Sequence, residues 1–151
     1  MSLVEWDKSY SVDIEKIDIQ HKKLIGHINS TALALSEEKM EKIFEVIDGL
    51  RAYVIEHFGV EEKFFKQSHY PKTAEHIARH KLFVDRIEYF NSNLKKDFKQ
   101  TATEMVEYMS GWIIGHILTY DKEYVPHWKK YYHEETGIKN SEIDKDSSSA
   151  S

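Results

Sequence analysis

Apolar residues return every three or four positions through most of the chain and rarely alternate one-for-one with polar ones, which is the pattern of amphipathic helices rather than strands. Polar breaks divide the pattern into four long stretches. Helix A runs from about Asp18, an acceptable N-terminal cap, to about Ser36, and is interrupted by Ser36-Glu37-Glu38-Lys39. Helix B extends from about Met40 to Gln67 and stops before Ser68-His69-Tyr70-Pro71, where a proline follows a polar pair. Helix C spans about Lys72 to Asn91, the polar run Asn91 to Lys96 turns the chain, and helix D covers roughly Asp97 to Tyr124. Pro126 is expected to open a short fifth helix that ends near Glu134. Residues 1–17 hold no sustained period and read as an extended N-terminal arm, with Trp6 and Tyr10 as packing anchors. Residues 135–151 are polar and serine-rich and read as a disordered tail, so the folded domain is expected at 1–134.

Four long helices with short connections predict an all-α protein, an antiparallel up-down-up-down four-helix bundle with an N-terminal arm and a short C-terminal helix. Each helix then owes one stripe to a common core. The stripes read Ile17, His21, Leu24, Ile28, Thr31, Leu35 on A and Ile43, Ile47, Leu50, Val54, His57, Glu61, Phe64 on B. They read His76, His80, Phe83, Ile87, Phe90, Leu94 on C and Ala102, Met105, Met109, Trp112, His116, Thr119 on D.

Composition narrows what such a bundle can do. At 151 residues, 40% hydrophobic and 31% charged, the chain is long enough for one domain that folds without a metal or disulfide to hold it together. Lys and Arg number 21 against 26 Asp and Glu, a net charge of -5 without the basic footprint that phosphate backbones require, so no nucleic-acid partner is expected. The absence of cysteine removes thiolate zinc sites, iron–sulfur clusters and cysteine nucleophiles, leaving nitrogen and oxygen donors for any metal. The N-terminal MSLVEWDKSYSVDIEK has no apolar run, so neither a signal peptide nor membrane insertion is expected, and the protein is placed in the cytoplasm.

Every stripe carries a histidine where leucine or isoleucine would serve, and stripe B adds a glutamate. Up-down-up-down threading puts His21 near the start of A, His57 and Glu61 near the end of B, His76 and His80 near the start of C, and His116 near the end of D. All six fall at one end of the bundle. Burying several imidazoles and a carboxylate together without partners costs several kcal/mol, roughly 2–7 for each unpaired group, and a shared metal ion removes that cost. Residues four apart on a helix face one region, so His57/Glu61 and His76/His80 can each aim two donors at one centre. His76-Ile77-Ala78-Arg79-His80 lacks the glutamate that a zincin protease places after its first histidine, so a metalloprotease is discounted.

His21, the run H-F-x-x-E at 57–61, H-x-x-x-H at 76–80 and H-I-x-x-x-D-x-x-Y at 116–124 together resemble the hemerythrin family in its single-domain bacterial form, over about Leu3 to Tyr132. The resemblance implies two iron ions joined by an oxo or hydroxo bridge: His76, His80 and His116 on one, His21 and His57 on the other, Glu61 and Asp121 bridging both. It further implies reversible binding of O2 at a position left open on the iron with fewer histidines, in a pocket formed by Leu24, Phe58, Trp112 and Ile117 with Tyr124 close by. Oxygen storage, delivery to an oxygen-consuming enzyme, or sensing would follow, in a monomer with no catalytic residue. The alternatives are a di-iron enzyme acting on peroxide, nitric oxide or ferrous iron at the same site, and a structural bundle filled with zinc, which the affinity order of divalent metals would favour over ferrous iron.

His116 and Asp121 are five residues apart, about 140° around a regular helix, so a shared centre predicts a local distortion such as a π-bulge between Gly115 and Asp121. His27, His69, His127 and His133 read as surface histidines, and Glu62 and Glu123 as solvated charges beside the site.

Overall fold

A computed structural model describes residues 3–133. Its helices are α1 (Glu15–Ser36), α2 (Met40–Ser68), α3 (Thr73–Asn93), α4 (Phe98–His116) and α5 (Lys122–Tyr131), with a π turn at Ile117–Asp121 between the last two and a 3₁₀ turn at Lys8–Tyr10 in the arm. Helix α1 packs on α2 and α4, and α3 on the same two, which closes the four-helix bundle. The expected tail 135–151 and the expected end of the last helix at Glu134 lie outside the described residues.

Expectation and structure differ at several places, each for a local reason. Asp18 does not cap α1: its carboxylate accepts hydrogen bonds from the Val12 N–H at 2.8 Å and the Ser11 hydroxyl, tying down the arm while the helix begins a turn earlier at Glu15. The arm is pinned again where the Asn29 side-chain amide pairs with both backbone groups of Val4. Pro126 lies inside α5 rather than at its start, because the π turn hands the chain directly to α5 at Lys122, and Pro126 sits on the exposed side. The same π turn advances the core stripe beyond the reach of a regular helix. Thr119, expected inside, is exposed, and the stripe continues through Ile117, Asp121, Tyr124 and Trp128.

Helix α2 ends as its sequence suggests, with His69 in the left-handed region at φ 55 and its N–H donating to the Phe65 carbonyl. The Tyr70 N–H reaches the same carbonyl at 3.0 Å and the Tyr70 ring packs on Phe65 at 5.1 Å, the hydrogen bond and apolar contact of a Schellman cap. A side chain at a left-handed position costs about 1–2 kcal/mol that glycine avoids. Glycine's greater freedom in the unfolded chain offsets part of that gain. His69→Gly is therefore expected to stabilise the fold by up to about 1 kcal/mol in urea unfolding. A contrasting small effect is expected on the surface, where Arg51 makes a two-pronged pair with Glu88 at 2.7 Å across α2 and α3, both side chains partly in solvent. Glu88→Gln should cost no more than about 1 kcal/mol by the same measurement, because exposed ion pairs contribute little.

The core is not uniform along the bundle axis. At one end Leu35, Ile43, Ile47, Phe90, Leu94, Ala102 and Met105 pack hydrocarbon on hydrocarbon. At the other, polar side chains are buried among Ile17, Phe65, Ile117 and Tyr124. No helix among the described residues is long and apolar enough to cross a membrane.

Candidate metal centre

The polar end gathers His21 from α1, His57 and Glu61 from α2, His76 and His80 from α3, His116 from the last position of α4 and Asp121 from the end of the π turn. None is more than 3% exposed. The helix termini explain the shared level: with each connection only a few residues long, the end of α2 and the start of α3 lie side by side, as do the end of α4 and the start of α1.

Their donor atoms fall into two overlapping groups, each with all atoms within 4.8 Å of one another. One holds His76, His80 and His116, the other His21 and His57, and Glu61 and Asp121 belong to both. Asp121 faces the two groups with different oxygens: Oδ1 lies 3.1 Å from His76 Nε2 and 3.0 Å from His116 Nε2, whereas Oδ2 lies 2.9 Å from His21 Nε2. Glu61 Oε1 is 3.3 Å from Nε2 of both His57 and His80. The backbone makes this possible at Asp121. The Lys122 N–H donates to the Ile117 carbonyl, five residues back, and the widened turn returns Asp121 to the side of His116.

These contacts do not satisfy the groups that make them. Both oxygens of Glu61, both of Asp121, and Nε2 of His21 and His80 are buried without a properly directed hydrogen bond, and the Nε2 atoms of His76 and His116 sit only 3.1 Å apart. Carboxylate oxygens and imidazole nitrogens converging in a dry interior, with too few protons to pair them all, fit cations held at their centre, and nitrogen and carboxylate donors suit a first-row transition metal.

The electrostatics of the metal-free cluster are consistent with this. Burial pushes the Asp121 carboxyl up, yet the imidazoles of His116, His21 and His76 outweigh it and hold the group well below the usual carboxylate range. Burial and Asp121 likewise raise Glu61, but His57 and His80 overcome them and bring it down to about 2. Burial lowers His57 to about 4, whereas for His80 the two glutamates Glu61 and Glu62 prevail over burial and raise it to about 9.

The five pocket positions read from the sequence all border or adjoin this cluster on their own helices. Phe58 stacks face-to-face on His80 at 3.7 Å, and Trp112, half-buried, stacks on His116 at 4.2 Å. Tyr124 lies 5.7 Å from His76, buried, with its hydroxyl beside Glu61 and no directed hydrogen bond. Leu24 and Ile117 are buried one turn after His21 and directly after His116.

Two further participants went unrecognised in the sequence. The Gln20 amide oxygen accepts from His57 Nδ1 at 2.6 Å, and Glu62 Oε2 accepts from His80 Nδ1 at 2.9 Å. Glu62 is thus not simply a solvated charge; the available signal was that each residue is the immediate sequence neighbour of a donor. Two of the four histidines read as superficial are half-buried: His27 packs against Tyr53, and His127 Nε2 contacts the Ser68 hydroxyl at 3.0 Å, fastening α5 to the end of α2. His69 and His133 are exposed, and Glu123 pairs with Lys72 at the surface.

Comparison with known proteins agrees with this arrangement. The family model described as the hemerythrin HHE cation binding domain matches residues 12–128. A bacteriohemerythrin of Clostridium acetobutylicum is 32% identical over 125 residues, spanning 80% of this chain and 97% of its own. A bacteriohemerythrin of Stenotrophomonas maltophilia is 27% identical, covering 87% of this chain and 85% of its own. Among solved structures, a hemerythrin carrying a leucine-to-tyrosine substitution superposes with a TM-score of 0.71 at 25% identity, over 83% of this chain and 97% of its own.

Proposed function

This chain belongs to the hemerythrin family, and from that premise we propose that it binds O2 reversibly at two irons held by His21, His57, Glu61, His76, His80, His116 and Asp121. The observation that carries the reading is the pair of overlapping donor groups that share two carboxylates whose oxygens lack hydrogen bonds. A single structural zinc needs four donors and would leave the remaining three unused. Imidazoles also outnumber carboxylates, unlike the ferritin-like di-iron oxidases, which rely on glutamates from all four helices. In the proposed roles His76, His80 and His116 would hold one iron and His21 and His57 the other, with Glu61 and Asp121 shared between them, so that the group with fewer histidines would be the one able to take O2. Two ferrous irons held there would supply the two electrons that O2 takes up on binding, and the irons would recover them on its release.

The surrounding residues decide whether that exchange stays reversible. Leu24, Phe58, Trp112 and Ile117 offer no proton, and they restrict the water that could bring one. Tyr124 places a buried hydroxyl beside Glu61, and in the metal-free cluster burial together with Glu61 and Asp121 pushes its ionisation well above the ordinary range. With no carboxylic acid or imidazole among these five side chains, the pocket itself offers no group suited to deliver the protons that O–O cleavage requires. The folded unit acting in this way is residues 1–134, working as a cytoplasmic monomer in storage, delivery or sensing of O2.

The test is the visible spectrum of anaerobically reduced, iron-loaded protein as air is admitted and withdrawn, with iron measured on the same sample. Colour that appears and disappears over repeated cycles with two irons per chain is the expected result. Immediate decay to a stable oxidised form with continuing O2 consumption would replace the carrier by a catalyst, and a colourless protein that retains zinc in preference to iron would remove the di-iron reading.

A further inference from the structure

Two of the five inward-facing imidazoles are tied from behind, and the groups that tie them differ in charge. His57 donates its Nδ1–H to the neutral amide of Gln20, and His80 donates its own to the carboxylate of Glu62. Because a carboxylate only accepts, the second contact fixes the tautomer of His80 when the ring is neutral and ligating, with the proton on Nδ1 and the Nε2 lone pair turned to the centre. A carboxylate behind a ligating imidazole also draws on that proton and makes the ring a stronger donor, whereas an amide orients the ring and adds no charge. The two partners serve different donor groups, since His80 belongs with His76 and His116, and His57 belongs with His21. Glu62 is 26% exposed, so the cluster end of the bundle shields its charge from solvent on most sides.

We propose that Glu62 is a positioning residue that makes the two metal positions electrically unequal: acting through His80, it favours the higher oxidation state of the ion in the three-histidine group, so that this ion gives up its electron first. The inference rests on the di-iron reading above. Its physical content is that a negative charge hydrogen-bonded to the far nitrogen of a ligating ring attracts a trivalent ion more than a divalent one, and Gln20 makes no such distinction at the other position. In the oxidation step one electron passes from the ferrous ion to an added one-electron oxidant, ferricyanide, which becomes ferrocyanide. No bond to the protein forms or breaks, and the Nδ1 proton shifts toward Glu62 without leaving the pair.

Glu62→Gln keeps the side-chain length and an accepting oxygen and removes only the charge. Stepwise ferricyanide oxidation of the reduced, iron-loaded variant should show the first step at higher potential. A tenfold loss of preference for ferric over ferrous iron is expected, which is about 59 mV for one electron. Gln20→Glu should lower the potential of the second step instead. An unchanged first step in Glu62→Gln with two irons bound overturns the proposal, and so does an equal weakening of ferrous and ferric binding, which would reduce Glu62 to a mechanical support. Cobalt(II) titration of the metal-free proteins separates this from the parent reading. Glu62→Gln should weaken one of two cobalt sites by about 10–100-fold and leave the other intact. Equal cobalt affinities in variant and wild type would overturn the role of Glu62, while a wild type that takes two cobalts but fails to cycle with O2 would count against the carrier reading alone.

Discussion

Glu61→Ala is expected to leave the protein with fewer than two irons per chain and no reversible O2 spectrum, whereas His27→Ala keeps both. Glu61 stands in both donor groups, so its removal takes a donor from each position at once, and the two ions lose one of the carboxylates that would hold them together. Loss of a partner one shell out weakens metal binding by about 10–100-fold, and loss of a shared donor should exceed that range. His27, six residues from His21 on α1, packs on Tyr53 outside both groups, and truncating it removes one ring contact from the bundle surface. Iron analysis after gel filtration reads the outcome directly. Full iron in Glu61→Ala, or iron loss in His27→Ala, would invalidate the ligand set.

The second large effect is a pH dependence of stability that metal binding abolishes. In the metal-free protein His80 is raised from 6.5 to about 9 by Glu61 and Glu62, against burial. A raised imidazole contributes stability that is complete below the unfolded value of about 6.5 and disappears as pH rises through about 9. The metal-free fold should therefore become easier to unfold with urea across that window. Iron requires the neutral imidazole, so loading displaces the His80 proton, and affinity should rise about tenfold per pH unit over the same interval. His57, held down to about 4 by burial, is neutral throughout and contributes to neither slope. Above about pH 6.5 neither the loaded form nor the unfolded chain holds a proton on His80, so the gain in affinity offsets the loss in the unloaded fold, and loaded protein should keep a steady resistance to urea where unloaded protein weakens. Parallel slopes for the two forms would show that His80 is not displaced.

Much of this was legible before any coordinates. The hydrophobic period located all four long helices, because tertiary packing in a bundle reinforces the signal that propensity provides. Six donors could be placed at one end from helix direction alone, with no knowledge of rotation about any axis. Asp121 was different: its five-residue spacing from His116 defies regular helical geometry, so its membership came from family resemblance, and the spacing then predicted the π turn that the structure contains. What stayed hidden depended on side chains reaching between helices. Gln20 and Glu62 meet His57 and His80 only through the relative rotation of α1, α2 and α3, and His127 meets Ser68 only because α5 folds back onto α2. Asp18 and Pro126 misled for a similar reason, since each carries a strong local preference that the arm and the π turn override.

The unequal ends of the core bear on how iron gets in. The hydrocarbon end around Ile47 and Leu94 can close without help, while the end around Asp121 gathers polar atoms that only an ion satisfies. Unloaded chains should therefore open locally at that end, with amide exchange fastest near His21, Glu61, His76 and His116 and slowest at the opposite turns of the same helices. Such fraying exposes the donors to solvent one helix at a time, and no preformed channel is needed for entry. Once two ions are seated, the same segments become the slowest to exchange, and the route by which they arrived has closed behind them.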